Sequence, residues 1–324
     1  MSAQIKTILK ITLPLLLGVA LVWYSLSKIS INELVQYFKD ANYYWIGLGV
    51  LFGVLSHLSR AYRWKFMIEP LGYTLRLPNS IMAVFATYLV NYTIPRAGEI
   101  TRASIITNYE GVPFEKGFGT IVAERVADMV VMLGIILITL FLEFDFIYQF
   151  FADRFNPTKI AFGIGVLIVG ILLLYLFIKK SQSKFAIKIR SFVSGLIEGI
   201  LSIFKMKQKW AFIFHTLFIW FMYVLMFYVT SFSLEETSSL PMAAILIGFI
   251  SASFSIAATN GGIGSYPVAV FAAFSIFGIA KEPSIAFGWI MWTSQTLMII
   301  VLGGVSLLYL PIYNRQNAKN QTNS

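Results

Sequence analysis

The sequence predicts an all-α, polytopic membrane protein, and three observations predict it. Of its 324 residues 58% are hydrophobic and only 12% charged, where a soluble domain carries about 25% charged residues. Apolar runs of about seventeen or more residues recur with few or no charges, the length a helix needs to cross hydrocarbon. Two further apolar runs end at glycine- and proline-bearing sequences, Pro95-Arg96-Ala97-Gly98-Glu99 and Asn260-Gly261-Gly262-Ile263-Gly264. The expectation is about six full spans plus re-entrant, broken segments in an inverted repeat. These form one integral membrane domain over 1–313, followed by a polar tail, 314–324.

Composition also excludes chemistry. With no cysteine, disulfides, thiol catalysis and cysteine metal sites are ruled out. Two histidines leave no His-rich metal set, and no ATP-binding motif is present, so no cofactor and no metal is expected. The net charge of +10 is assigned to cytoplasmic loops facing anionic lipid, and no nucleic-acid partner is expected.

Lys6 and Lys10 precede an apolar run over 11–26, read as an uncleaved first helix. A polar stretch over 28–42 leads to a second span, 43–59, with Tyr43, Tyr44 and Trp45 as an aromatic belt at its entrance. A basic loop then carries Arg60, Arg63, Lys65 and Arg76 against Glu69. The run over 81–94 enters the first broken motif, and Gly111-Val112-Pro113 marks a turn. A long helix over 118–142 carries Glu124, Arg125 and Asp128 near its start. An acidic loop over 143–159 and a span over 160–178 follow.

The stretch 179–209 is strongly basic, and apolar residues recur at helical spacing over 185–204. That pattern predicts an amphipathic helix on an anionic membrane surface, or one packed on the protein's own loops. A span over 210–232, the second broken segment over 241–279 and a last span over 285–309 complete the chain. His57, near a span end, reads as a packed or interfacial histidine. Gly303-Gly304 in the last span allows close helix packing.

Basic short loops collect on the cytoplasmic side. Placing both 60–78 and 179–209 inside requires the run over 81–94 to enter and return on one side. The first broken segment is then 79–112. Its opening Leu77-Pro78 is echoed by Leu240-Pro241, which begins the second segment from the opposite side. Paired, interrupted segments of opposite topology are how transporters build a central site. Both termini are expected in the cytoplasm, with the chain in the plasma (inner) membrane.

Where the breaks meet, the available groups are Arg96, Gly98, Glu99, Arg102, Glu124, Arg125, Asp128, Asn260, Gly261, Gly262 and Gly264. Arginine grips phosphate with a two-pronged fork, and amides of a glycine-rich turn at a helix start add positive partial charge. The set suits an anionic lipid headgroup, with the carboxylates balancing the arginines between events. The same charges also fit a static ion-pair network that closes the fold.

Arg63-Trp64, Gly98-Glu99 with Arg102, Glu124-Arg125 with Asp128, and Gly261-Gly262-Ile263-Gly264 resemble the lysylphosphatidylglycerol synthase transmembrane region, the flippase-like domain family, over about 10–312. The resemblance implies an inner-membrane protein of a family some of whose members translocate lipids. It departs at Ser265-Tyr266-Pro267, where the family often places a glutamate. The family's synthases also carry a soluble aminoacyl-transfer domain, so a chain stopping after Ser324 is expected to lack synthase activity. Three functions compete: a flippase-like lipid transporter with membrane lipids as its partners, an intramembrane enzyme, and a non-transporting partner of a cell-envelope enzyme. The enzyme is disfavoured because no protease-like Ser/His pair or aspartate-rich transferase motif is present.

Overall fold

The computed structural model describes residues 16, 18–94, 97–154, 157–183, 186–187, 189–190 and 206–322. Among these residues every regular element is helical, as expected for an all-α membrane protein. Phe114–Leu142, Lys209–Ser231 and Lys281–Arg315 are long and apolar enough to cross a membrane, and shorter apolar helices accompany them. The N-terminal lysines, Arg96 and most of the basic amphipathic segment lie outside the described residues.

Helix α1 (18–26) precedes α2 (Ile31–Asp40) within the polar stretch. Ser30 starts α2 with a capping box: its hydroxyl accepts from the Glu33 amide while the Glu33 carboxylate accepts from the Ser30 amide. Two donors that a helix start otherwise leaves orphaned are thereby satisfied. Asn42 caps α3 (Tyr43–Ile68).

That helix corrects the sequence reading. The basic loop expected from residue 60 is still helix, and Arg60 and Arg63 are only 2% and 0% exposed. The reason is periodic: His57, Arg60 and Trp64 fall at i, i+3 and i+7, on one face. All three are buried, so this face turns into the protein.

A 3-10 turn (Glu69–Leu71) leads to α4 (Leu77–Thr93), which doubles back as α5 (Ala97–Glu110). Helix α6 (Phe114–Leu142) follows, then α7 (Phe144–Arg154), in place of the expected acidic loop, and α8 (Pro157–Lys180). Helix α9 (Lys209–Ser231) and the single turn α10 (Glu235–Ser238) lead to α11 (Met242–Ala258). A second hairpin is formed by α11 with α12 (Ser265–Phe274), and α13 (Lys281–Thr322) closes the chain. The structure forms two compact units: 1–122 with 210–324, and 123–209. The second holds most of α6 together with α7 and α8.

Within the first unit, α13 works as a ruler along which the two hairpins lie end to end. Going from its N-terminus, Gly288 abuts Pro267, the Trp292 indole donates to the Gly261 carbonyl, and Thr296 bonds the Tyr92 hydroxyl. Further along, Gly303 abuts Leu89, and Asn314 exchanges two 2.9 Å hydrogen bonds with Asn79. The interval from Gly288 to Asn314 is about 39 Å of helix at 1.5 Å per residue. The hairpin α11–α12 occupies its first part and α4–α5 the rest, with their turns facing one another. This is the opposed arrangement read from the Leu-Pro echo, and the two leading helices, α4 and α11, are each 17 residues long.

Asn314 also corrects an expectation. The tail predicted to be a polar appendage begins as the held end of α13, which continues to Thr322. Arg76 bonds Asn314 (2.8 Å) and the Glu110 carboxylate (3.1 Å), so one polar clasp ties α13 to the base of the α4–α5 hairpin.

Of the two adjacent glycines in α13, Gly303 alone meets a neighbour. A Cβ there would sit 2.7 Å from Leu89 Cβ and 2.9 Å from the Phe85 carbonyl, whereas one at Gly304 would meet nothing within 4 Å. We predict that Gly303→Leu destabilises the protein by about 1–3 kcal/mol while Gly304→Leu is near neutral. Thermal unfolding of both purified variants in detergent checks this, and equal effects would contradict the packing described.

Candidate functional site

Helix α4 ends because Pro95 lacks an amide donor and disfavours helical backbone at Ile94; Ile94 is indeed extended, at φ −128° and ψ 111°. The returning helix passes very close. The Gly98 amide donates to Asn91 Oδ1 at 2.8 Å, and a Cβ on Gly98 would strike the Thr87 carbonyl. Only glycine permits that approach.

The second turn is built differently. Gly261, Gly262 and Gly264 all have positive φ, at 66°, 78° and 69°, backbone that side chains disfavour. A Cβ on Gly264 would also strike the backbone of Leu21 and Val22 in α1. Ser265 Oγ lies 2.7 Å from Ser255 Oγ and 2.9 Å from Thr259 Oγ1. A hydroxyl, Ser265, therefore follows the glycines and bonds the hydroxyls at the end of α11.

The two turns meet. Asn260 Nδ2 donates to the Tyr92 carbonyl at 2.9 Å, bridging the ends of the two hairpins. The Tyr92 ring lies against Gly261, 2.7 Å from where a Cβ would be. The contact falls beside Trp292 and Thr296, near the middle of the apolar stretch Lys281–Arg315.

Glu99 sits half-buried in the first turn of α5. Arg102 is 1% exposed, with its guanidinium 3.9 Å from the centroid of the Trp64 ring, a stacking favoured by the ring quadrupole. The Trp64 indole in turn donates to Thr120 at 2.8 Å. Arg63 donates to Thr216 at 2.8 Å and lies 5.2 Å from the Phe212 centroid. Residues from α3, α5, α6 and α9 thus surround two buried guanidinium groups.

Of the predicted residues, the first unit brings Gly98, Asn260, Gly261, Gly262 and Gly264 to the junction, with Glu99 and Arg102 on the adjoining helix. Glu124, Arg125 and Asp128 belong to the second unit. Glu124 and Asp128 are buried, and Arg125 lies 4.0 Å from Asp128. The packed reading of His57 is the one seen: its ring lies 4.4 Å from that of Tyr88 and 5.5 Å from that of Phe85, centroid to centroid. Among the described residues no group of three or more His, Asp or Glu is placed to hold a metal. The sequence reading missed Asn91, Tyr92 and Trp292, none of which carries a charge or a special spacing. It also missed the depth of Arg60 and Arg63, which the three-to-four-residue spacing with His57 and Trp64 could have indicated.

Fold and site define a polytopic helical membrane protein built around two opposed, interrupted hairpins. The model for the lysylphosphatidylglycerol synthase TM region matches residues 11–304, and the chain belongs to that family. It is 23% identical to the UPF0104 membrane protein MJ1595 of Methanocaldococcus jannaschii, over 94% of this chain and 96% of that one. A shorter match, 26% over 105 residues, relates 32% of this chain to 17% of the glycosyltransferase AglD of Haloferax volcanii. No solved structure matches the chain.

The bridge from Asn260 generates a prediction. In Asn260→Ala the Tyr92 carbonyl loses its cross-hairpin donor, at a cost of about 1–3 kcal/mol. Hydrogen exchange at the amides of 92–98 is expected to rise about tenfold or more, with the base of the hairpin near Asn79 unchanged. Uniform loosening, or none, would contradict the junction's role.

Proposed function

We propose that this protein moves an anionic phospholipid or lipid-linked substrate between leaflets, and that the junction of the two hairpins is where the movement is controlled. The observation that carries the reading is the Asn260–Tyr92 bridge, which joins two helix interruptions near the middle of a helix long enough to cross the membrane. Interrupted helices that meet at such depth are the transporter arrangement, and non-helical backbone there is tolerated when buried in protein or lining a wet cavity. Arg102 and Arg96 would attract the headgroup, glycine-turn amides would add positive partial charge, and Glu99 would balance the arginines in its absence. Charged groups within a membrane domain default to a functional reading.

In this proposal the chain acts without catalysing a covalent reaction. It lies in the plasma (inner) membrane, with both termini and the basic segments 60–78 and 179–209 on the cytoplasmic side. A second reading has one observation in its favour. The stretch matched in AglD is only 17% of a protein named as a glycosyltransferase, so related membrane sequence accompanies other sequence there. On that reading this chain docks a lipid-modifying or envelope enzyme.

Reconstitution separates the two. Purified protein in liposomes is expected to speed leaflet exchange of a fluorescent anionic lipid more than that of a zwitterionic one, and Glu99→Gln is expected to abolish the gain without changing the melting profile. Exchange that survives Glu99→Gln would overturn the assignment of the site. Folded protein that moves no lipid and co-purifies with an enzyme would favour docking.

A further inference from the structure

Within the first unit, α3 meets α9 and α13 at two glycines. A Cβ on Gly49 would strike Thr230 Oγ1 of α9. One on Gly53 would strike Gln295 Oε1 of α13 and lie 3.3 Å from Met226 Sδ of α9. His57 stands one turn beyond Gly53 on the same face of α3 and is 6% exposed. Rings from two other helices enclose it: Phe85 and Tyr88 of α4, and Tyr223 of α9 at 6.1 Å between centroids. Its Nδ1 is buried and has no hydrogen-bond partner among the described residues. Aromatic packing alone would be served as well by phenylalanine, which buries no polar atom.

The surroundings specify what the imidazole can bind. The titratable and charged groups that face it are Arg60, one turn further along α3, Tyr88 on α4 and Tyr223 on α9. Helix α13 contributes the uncharged Gln295 beside Gly53. The Tyr223 hydroxyl is hydrogen-bonded with those of Tyr88 and Ser56, and Ser56 donates to the Gly53 carbonyl at 2.7 Å. The close approach at Gly53 leaves no room there for an organic ligand. A proton needs none. Taken up at the ring nitrogen that carries no hydrogen, it turns both nitrogens into donors and the ring into a cation. In the packed arrangement that cation would be enclosed by aromatic rings beside the guanidinium of Arg60. Burying a charge without an anion or water is costly, so the charged ring favours an arrangement in which the helices part and water enters.

The ring is also connected to the hairpin junction. Tyr88, 4.4 Å from it between centroids, precedes Tyr92 by four residues and shares its face of α4. Tyr92 holds the junction through Asn260 and Thr296, and Gln295 is the chain neighbour of Thr296. We propose that His57 is a proton-binding site, and that proton uptake there is linked to release of Tyr92 from the junction. The proton comes from water and forms one N–H bond on the ring. Linkage is reciprocal, so loosening the junction favours uptake of the proton. It holds whether or not the junction moves lipid. Only the use of this proton, as the ion whose gradient drives lipid movement, rests on the proposed function.

The chain has two histidines, so NMR of ring-labelled histidine in full-length His215→Gln protein, held in lipid nanodiscs, reports the charge of His57 alone. Hydrogen-exchange protection factors, which divide out the chemical pH dependence of exchange, are measured in parallel from about pH 8 to about pH 5. The ring is expected to charge within that window, and protection of the amides of 92–98 to fall several-fold with it, while the hairpin base near Asn79 stays protected. His57→Phe, which keeps the ring packing, is expected to abolish the response at 92–98, and His57→Gln to do the same should the phenylalanine variant not fold. Asn260→Ala is expected to raise the charged fraction of His57 several-fold at a given acid pH. A ring that stays neutral throughout the window would overturn the proposal. So would protection that does not change with pH, a response that survives loss of His57, or a fall spread evenly over the chain. Lipid exchange in liposomes that ignores a pH gradient, with the linkage intact, would leave the proton site standing and refute only its use in transport.

Discussion

A helix interrupted among apolar neighbours must find new partners for the backbone groups it frees, because hydrocarbon offers none. Most of the first unit answers that requirement. The break after Thr93 places its amides and carbonyls on Asn91, Val90 and Asn260. The break after Ala258 places its own on Ser255, Thr259 and the Trp292 indole. Each turn therefore depends on a side chain from elsewhere, and α13 passes both. Tyr92 joins the set through two groups, its carbonyl to Asn260 and its hydroxyl to Thr296. The hairpins are not held by apolar packing alone; their interruptions are sites of mutual hydrogen-bond exchange.

Sequence reading reached the architecture because the architecture is written in residues with strong local meaning. Proline cannot continue α4, three glycines adopt left-handed backbone after α11, and the Leu-Pro pairs start two helices of equal length. What it missed was decided by tertiary partners. Asn91 and Tyr92 are unremarkable within an apolar run until the returning helix and the opposite turn supply their partners. Arg60 and Arg63 looked like the start of a water-facing loop because charge density commonly marks the end of a span. Helical phase overrode density: residues three to four apart with His57 and Trp64 continued the buried face of the same helix.

Burial changes what these arginines can do. An exposed guanidinium is held by water and exchanges partners freely, whereas one stacked on Trp64 or anchored to Thr216 has its position fixed by aromatic and hydroxyl groups. Arginine suits this role because its planar group is weakly hydrated and can stack while its edges still donate. Removing Trp64 would disturb α3, α5 and α6 together, since its ring supports Arg102 and its indole holds Thr120.

The two turns share a geometry and differ in chemistry. The α4–α5 turn is followed within one helical turn by Glu99 and then Arg102; the α11–α12 turn offers hydroxyls and amides, with Ser255, Thr259 and Ser265 bonded to one another. Any ligand reaching the junction therefore meets charge from one side and neutral donors from the other. Under the proposed function an anion would be drawn toward α5, and the opposite turn would bind it only through hydrogen bonds that carry no counter-charge. A carboxylate in place of Ser265 would repel such a ligand and would need its own proton or cation to stay buried. With hydroxyls there, the second turn needs neither, and the charge balance of the junction in this chain rests on the first hairpin.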